Sequence, residues 1–181
     1  MNVQKFAWLV VLHIAFPLSI IHAQETITPA PPAKGLAGYH IGVVQPIVSI
    51  NNEETHFFTE YDHYAIGFPI GATFHTGGKV LFDMEIVPLI KPYANSEEPY
   101  DVHLLVHPGM LLPLGHGWTL GFRLAFETNA GQFGFTPLLN KAFKIDEGHV
   151  FFLELVAPGR FGPEKNSGYT QVFGLHVGFG F

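Results

Sequence analysis

Apolar side chains recur at every second position over long stretches of this sequence, and this spacing limits the fold more than any other feature. Between residues 64 and 75, large apolar residues alternate with glycine, proline and other mostly small residues. The alternation returns over residues 80–87, where the intervening positions carry two carboxylates. Because successive side chains of a β-strand point to opposite faces, a period of two predicts strands with one apolar face. The spacing typical of amphipathic helices is rare, so we expect an all-β fold.

A turn signal separates these two alternating stretches. The segment is Thr76-Gly77-Gly78-Lys79. Glycine reaches positive φ without strain, and tight hairpin turns require such a backbone. Two alternating runs joined by a Gly-Gly pair therefore predict two strands that are antiparallel neighbours.

Counting such runs along the chain predicts eight strands. Six prolines fall inside them, and because proline cannot donate to a ladder, these positions predict bulges or strand ends. The prolines are Pro46, Pro69, Pro88, Pro108, Pro113 and Pro137. The predicted strands cover residues 36–50, 64–75, 79–91, 101–114, 118–128, 132–145, 148–157 and 169–181.

The connections between the predicted strands alternate in length. Short turns at one end and long loops at the other are typical of up-and-down transmembrane β-barrels. We therefore expect an all-β, eight-stranded antiparallel up-and-down transmembrane β-barrel, with one departure at the brief connection 129–131, which falls on the long-loop side. The short turns are 76–78, 115–117 and 146–147, and the long loops are 51–63, 92–100 and 158–168.

Alternation alone does not say which face meets water, but charge does. Only 13% of the residues are charged, whereas a water-facing surface carries charges at roughly 25–35% of positions. The less apolar face bears few charges and many glycines, which suits the narrow interior of an eight-stranded barrel. We therefore expect this face inside and the apolar face against hydrocarbon. The inner ionisable residues are Asp83, Glu85, Arg123, Glu127 and Glu154, the inner glycines Gly42, Gly67, Gly71, Gly121, Gly134, Gly174, Gly178 and Gly180, and the outer face includes Phe122, Leu124, Phe126, Phe133 and Phe135.

Aromatic residues gather at both predicted ends of the strands. Amphipathic rings settle at the headgroup level of a membrane, so such belts support the membrane interpretation. The belts comprise Tyr61, Tyr64, Tyr93, Tyr100 and Tyr169 at the long-loop rim, and Trp118, Phe74 and Phe181 at the short-turn rim. The alternative is a soluble secreted ligand-binding barrel or sandwich with its apolar face inside.

The first residues have the pattern of an export signal. Lys5 precedes an apolar run over 6–21, and a small residue, Ala23, follows. This predicts a signal peptide over 1–23 that is cleaved after Ala23; the alternative is a membrane-anchoring helix. Residues 24–35 are rich in proline and predict a linker, which leaves 36–181 as the barrel domain. The absence of cysteine excludes disulfides and a lipid on an N-terminal cysteine.

The final predicted strand carries the most specific signal. Large, mostly apolar residues alternate from Tyr169 to a terminal Phe181. This strand resembles the C-terminal signal of bacterial outer-membrane proteins, and the architecture resembles the small eight-stranded barrels of the OmpA membrane-domain and OmpX type. The resemblance implies a location in the bacterial outer membrane, contact with its lipid and lipopolysaccharide, and recognition by the barrel-assembly machinery. The residues implied in that recognition are Phe173, Leu175, Val177, Phe179 and Phe181.

Few residues suggest catalysis. A serine acyl hydrolase needs a histidine beside its hydroxyl and a carboxylate that orients the imidazole. After the predicted signal peptide only Ser49, Ser96 and Ser167 remain, and the best match is Ser49 with His56 or His63. We therefore expect no enzyme and assign no catalytic, cofactor-binding or metal-binding residue. A lipid-modifying outer-membrane enzyme, of the lipid A acyl hydrolase or acyltransferase type, is the alternative.

Histidines on the predicted inner face have two interpretations. Three or four converging imidazoles could bind a metal ion, whereas imidazoles that pair with buried carboxylates and Arg123 would form a polar network. The sequence favours the network, because ionisable residues share that face. The histidines are His40, His103, His107 and His176.

The charge balance limits the partners. A net charge of −6 with only nine Lys and Arg argues against nucleic acid. Carboxylates in the long loops could bind a divalent cation that bridges to lipopolysaccharide phosphates, or could simply be solvated. An eight-stranded interior is too narrow for a diffusion pore, so we expect a structural, adhesion or surface-interaction role. The acidic loop residues are Glu53, Glu54, Glu60, Asp62, Glu97, Glu98 and Asp101.

Overall fold

A computed structural model describes residues 34–51, 54–60, 64–92, 100–128, 132–162 and 168–181. These residues form eleven β-strands, and none of them lies in a helix. The strands are β1 (Gly35–Asn51), β2 (Glu54–Phe57), β3 (Ile66–Gly67), β4 (Ile70–His75), β5 (Leu81–Pro92), β6 (Tyr100–Gly115), β7 (Trp118–Glu127), β8 (Phe133–Lys144), β9 (Val150–Val156), β10 (Gly159–Phe161) and β11 (Tyr169–Gly180). The prediction of an all-β fold is confirmed.

The strands pair antiparallel and close on themselves. Pairing runs from β4 through β5, β6, β7, β8, β9 and β11, and β11 returns to β1, which pairs with β4. The closing ladder is long, extending from His40 opposite Gly180 to Asn51 opposite Thr170. The result is a ring of eight antiparallel strands with sequential neighbours, as the alternating connections predict.

The strand ends agree with the predicted bounds to within two residues, apart from three departures. The predicted strand 64–75 is split into β3 and β4 at Phe68-Pro69. The short strands β2 and β10 lie inside predicted long loops: β2 extends the β1 ladder, and β10 pairs with both β8 and β11 beyond the end of β9. The strand β1 begins at Gly35, one residue before the predicted domain start.

Three of the six prolines coincide with a register shift or a break in a strand. The β1 register shifts beside Pro46, the β6 register shifts beside Pro113, and Pro69 separates β3 from β4. Across the last gap, Gly42 N donates to Pro69 O at 2.9 Å. The other three prolines stay within strands, where two still accept through their carbonyl oxygens: Phe68 N donates to Pro88 O and Ala157 N to Pro137 O.

Short turns at one rim join β4 to β5, β6 to β7 and β8 to β9. Gly77 has φ of 88° in the first turn, and Gly115, His116 and Gly117 all have positive φ in the second. In the third, Asp146 Oδ1 accepts from Gly148 N and His149 N, both at 2.9 Å. The predicted turns are therefore present. Outside the described residues lie the predicted signal peptide 1–23, residues 24–33 of the predicted linker, and residues 93–99, 129–131 and 163–167 of the predicted long-loop side.

Burial alternates along the strands with polar groups inside. In β7, every second residue from Gly121 to Glu127 is buried, whereas those between them are exposed. The buried polar residues of the described chain are Asp83, Glu85, His103, His107, Arg123, Glu127, Thr136, Glu154 and His176, against a hydrophobic core of only Val87, Leu105, Ala125, Leu138, Phe152 and Val156. The described chain contains no helix long and apolar enough to span a membrane.

Candidate functional site

A buried arginine organises the interior of the ring. Arg123 of β7 lies between carboxylates from β5 and β9: its Nε donates to Asp83 Oδ2 at 2.8 Å and its Nη1 to Glu154 Oε1 at 2.9 Å. Its Nη2 lies 3.5 Å from Glu85 Oε2. Hydroxyl and amide groups complete the set, because Thr73 Oγ1 donates to Asp83 at 2.8 Å and Asn140 Nδ2 lies 3.3 Å from Glu154. We call Asp83, Glu85, Arg123 and Glu154 the central cluster.

Three histidines surround the central cluster. Glu85 is contacted by His40 Nε2 at 3.2 Å and His107 Nδ1 at 3.1 Å, and Glu154 by His176 Nδ1 at 3.1 Å. Within the described chain, no group of three or more histidines, cysteines or carboxylates has the geometry to hold a metal ion. The predicted histidine and carboxylate network is thus the arrangement that the structure contains.

Two glycines make room for these imidazoles. A Cβ on Gly71 would lie 2.2 Å from the His40 ring, and one on Gly42 would lie 2.5 Å from His176 Nε2. Real Cβ atoms do not approach other atoms so closely, so the side chains of His40 and His176 require glycine at these positions. Gly42 and Gly71 therefore allow the polar network to pack in the narrow interior.

The central cluster separates two cavities. One has a volume of about 420 Å³ and extends toward the long-loop rim; we call it the upper cavity. The other, about 330 Å³, extends toward the short-turn rim and is lined by Tyr39 and Phe181. Arg123 and Glu154 line both, so the ion pairs stand between the two spaces. This arrangement argues against an open pore through the ring.

A second buried pair and a second arginine lie above the central cluster. His103 Nδ1 contacts Glu127 Oε1 on the neighbouring strand. Arg160 of β10 donates through Nη1 to Phe135 O at 3.0 Å, and its Nη2 lies 3.3 Å from His107 Nε2. Because His107 Nδ1 faces Glu85, the Nε2 atom of His107 can accept a hydrogen bond from Arg160. Arg160 is therefore connected to Arg123 through His107 and Glu85.

The outer rim brings one predicted pair together. Ser49 of β1 lies directly opposite His56 of β2, and both line the upper cavity. His56 Nδ1 lies 3.0 Å from Glu60 Oε2, whereas Nε2 lies 3.5 Å from Glu54 Oε2. The Glu60 carboxylate accepts a hydrogen bond from the ring and thereby raises the pKa of His56 above its ordinary value of 6.5.

A prediction follows for the pH dependence of this hairpin. Because the folded pKa of His56 is raised, the stabilisation from its pairing is fully present below about pH 6.5 and is lost as pH rises through the raised pKa. In an NMR titration we expect the His56 midpoint above 6.5 and a lower midpoint in the Glu60→Gln variant. Equal midpoints in the two proteins would contradict the assigned pairing.

Other predicted residues lie partly outside the described chain. These are Tyr61, His63, Tyr93, Ser96 and Ser167 and the acidic residues Glu53, Asp62, Glu97 and Glu98, together with the side chains of Tyr100 and Asp101. The divalent-cation site is therefore untested and stays a prediction. Sequence reasoning missed Arg160, Thr73, Thr136 and Asn140. The signal for Arg160 was a lone arginine in a stretch that we predict as loop.

The outward face is apolar from rim to rim. Phe122 stacks on Phe135 with centroids 5.9 Å apart, and Phe133 stacks on Phe161 at 5.4 Å. At the short-turn rim, Lys141 Nζ lies 5.1 Å from the Trp118 ring centroid. The described aromatic residues of the two predicted belts, Tyr64, Tyr169, Trp118, Phe74 and Phe181, are all exposed.

Comparison with known proteins gives no relative for this chain: no family model, no curated protein and no solved structure matches it. Its function must therefore be argued from the geometry described above.

Proposed function

We propose that this chain is an exported bacterial outer-membrane β-barrel protein with a structural, adhesion or surface-interaction role and no catalytic activity. The observation that carries the proposal is the inverted distribution of polarity. Charged groups such as Asp83 and Arg123 are almost fully buried, whereas Leu155 and Met110 are 61% and 65% exposed. In water, such an exterior would be a large apolar patch of the kind that marks an interaction surface or causes aggregation. Lipid is the solvent that suits it.

The interior supports a role that does not involve transport. The interior of an eight-stranded barrel is narrow, and the central cluster stands between the upper cavity and the cavity at the short-turn rim. The long-loop rim would face outward and the short-turn rim the periplasm, as in bacterial barrels generally. Lipid, lipopolysaccharide and the barrel-assembly machinery are the partners that this proposal implies.

The experiment that tests the proposal uses the purified protein. An inserted barrel requires detergent or lipid to stay in solution, and its folded form migrates differently on a gel before and after boiling. We expect both behaviours, together with recovery of the protein in the outer-membrane fraction. A protein that stays monomeric in buffer without detergent would instead support the soluble secreted barrel.

The last strand leads to a prediction about assembly. Phe173 and Phe179 of β11 are exposed, as is Phe181 directly after the strand. Phe181 pairs with Tyr39 through two backbone hydrogen bonds of 2.7 and 3.0 Å. We expect Phe181→Ser to lose most of the folded protein from the outer membrane in cells, because the proposed recognition by the assembly machinery includes the Phe181 ring.

The matched control for this prediction is Phe143→Ser. Phe143 is 45% exposed on β8, close to Phe181 in exposure. We expect this variant to assemble normally and both purified variants to refold in detergent. Equal loss from the two variants in cells would mean that the defect is general stability rather than recognition.

A second candidate function, a lipid-modifying hydrolase, is favoured by one observation. The ladder places Ser49 opposite His56, and Glu60 contacts His56 Nδ1, which gives the three residue types of a catalytic triad in order. It ranks second because the Ser49 hydroxyl makes no hydrogen bond to another described residue and His56 Nε2 faces Glu54.

The test of this second candidate is hydrolysis of a medium-chain ester by the purified protein and by Ser49→Ala. Turnover that disappears in Ser49→Ala would establish the hydrolase and overturn the non-catalytic proposal. Absence of turnover, or turnover that survives the substitution, removes Ser49 as a nucleophile. Lipid A that is unaltered in cells expressing the chain would further exclude modification of that lipid.

A further inference from the structure

The upper cavity contains an arginine that makes no direct ion pair with any described carboxylate. Within the described chain, no carboxylate oxygen lies within 4.0 Å of the Arg160 guanidinium, whereas Arg123 contacts three. Its hydrogen bonds go to Phe135 O, Gly159 O and the Thr136 hydroxyl, at 3.0 to 3.2 Å, and its Nη2 faces an imidazole nitrogen. All of these groups are uncharged, so they orient the guanidinium without forming an ion pair with it. Glu127 attracts Arg160 from beyond ion-pair distance, and its carboxylate already contacts His103.

The other charges of the cavity are already engaged. Glu85 and Glu154 contact Arg123, and Glu127 contacts His103. A cation taken out of water is costly unless an anion accompanies it. Arg160 is therefore the group around which an external anion would complete the electrostatics of this space.

Part of the lining of the upper cavity is aliphatic. A cavity of about 420 Å³ falls in the range of roughly 300–1,000 Å³ that small-molecule sites occupy. Polar groups near one wall and aliphatic groups around the remainder suit a ligand with a charged head and an apolar body. The aliphatic lining includes Val44, Val87, Leu89, Leu105, Val156 and Val172.

The cavity also has a route to the surface. Its lining continues to the outer rim through Ser49, His56, Phe58 and Tyr64. Phe58 and Tyr64 are 39% and 36% exposed. At the opposite side the central cluster closes the space, so a ligand would enter from the long-loop rim and stop above the ion pairs.

We propose that the upper cavity binds a small amphipathic carboxylate, with its head on Arg160 and its aliphatic chain along the cavity wall. Guanidinium groups form charge-assisted hydrogen bonds to carboxylates, and the Nε–H of Arg160 has no hydrogen-bond partner among the described residues. The inference goes beyond the proposed membrane role, because it concerns the interior and holds whichever solvent surrounds the ring.

The test is calorimetric titration of the purified protein with octanoate, octanol and octylamine. Octanoate and octylamine are kept below their micelle concentrations and octanol below its solubility limit. We expect octanoate to bind at one site and both other compounds to bind at least about tenfold more weakly, because a charge-assisted hydrogen bond is lost. Arg160→Gln should weaken octanoate binding by at least about tenfold and leave octanol unchanged. The control is Lys144→Gln, which also replaces a cation by glutamine but at an exposed site of the opposite rim. This variant should bind octanoate as the unaltered protein does.

Equal binding of octanoate and octanol, or no saturable binding of octanoate, would overturn the proposal. If Arg160→Gln does not fold, the comparison of the three ligands on the unaltered protein decides alone. The carboxylate proposal and the membrane proposal can fail independently. A protein that binds no octanoate could still require detergent and shift on a gel when boiled, which would overturn only the carboxylate proposal.

Discussion

Replacing Arg123 with methionine is expected to destabilise the protein more than any other single substitution. The guanidinium contacts Asp83, Glu85 and Glu154, all almost fully buried. Methionine fills a similar volume but leaves these carboxylates without their cation. Breaking a buried ion pair by removing one partner costs about 3–5 kcal/mol. We expect a loss of that size in the free energy of unfolding in urea, measured in detergent, and a weaker gel shift on boiling.

Two further variants show whether the loss comes from the buried charges. Lys144→Met makes the same kind of change at an exposed position and should change stability by less than about 0.5 kcal/mol. Adding Glu154→Gln to Arg123→Met removes one uncompensated carboxylate and should recover part of the loss. An unchanged gel shift and urea midpoint in Arg123→Met would mean that the central cluster does not stabilise the ring.

Placing an arginine on the outward face should also have a large effect. Leu124 lies in the central part of β7 and is 46% exposed. On a lipid-facing surface, arginine near the bilayer midplane costs about 2–4 kcal/mol. We therefore expect Leu124→Arg to lower the free energy of unfolding from liposomes by this amount.

Leu114→Arg is the matched control, because Leu114 is 56% exposed and lies beside the turn that joins β6 to β7. Near the membrane interface the same substitution costs about 0–1 kcal/mol. In water both substitutions would be nearly neutral, since each replaces an exposed leucine by a charged residue. Equal effects at the two depths would therefore argue against lipid around the ring.

The faces of the strands could be predicted from sequence because the period of two is local. Each residue's face depends only on its neighbours along the strand, so Asp83, Arg123 and Glu154 could be assigned to the interior without any knowledge of pairing. Their mutual contacts could not. Asp83 lies on β5, Arg123 on β7 and Glu154 on β9, and they meet only because the ring is narrow and its registers align them.

The short strands at the long-loop rim were harder to predict than the eight strands of the ring. Strand β10 is three residues long and follows Pro158, so its sequence has no period to detect, and Arg160 falls among turn residues. Similarly, β2 is an acidic and polar segment, and it pairs with the part of β1 that extends past β3 and β4. The sequence predicts a bulge or strand end at Pro69. It does not show that the Pro69 carbonyl accepts a hydrogen bond from Gly42 N on β1, because that contact depends on the strand pairing.

The most direct test of the membrane claim measures what surrounds the outward side chains. The chain has no cysteine, so single cysteines can carry a spin label without further change. Suitable sites are Ile41, Ile86, Leu124 and Leu155, on four strands around the ring and all exposed, with Glu147 in a turn as the water-facing control. In liposomes we expect the four sites to collide with oxygen far more than with a polar nickel complex, and Glu147 to show the reverse. If the nickel complex reaches the four sites as readily as Glu147, the ring stands in water and the account is wrong.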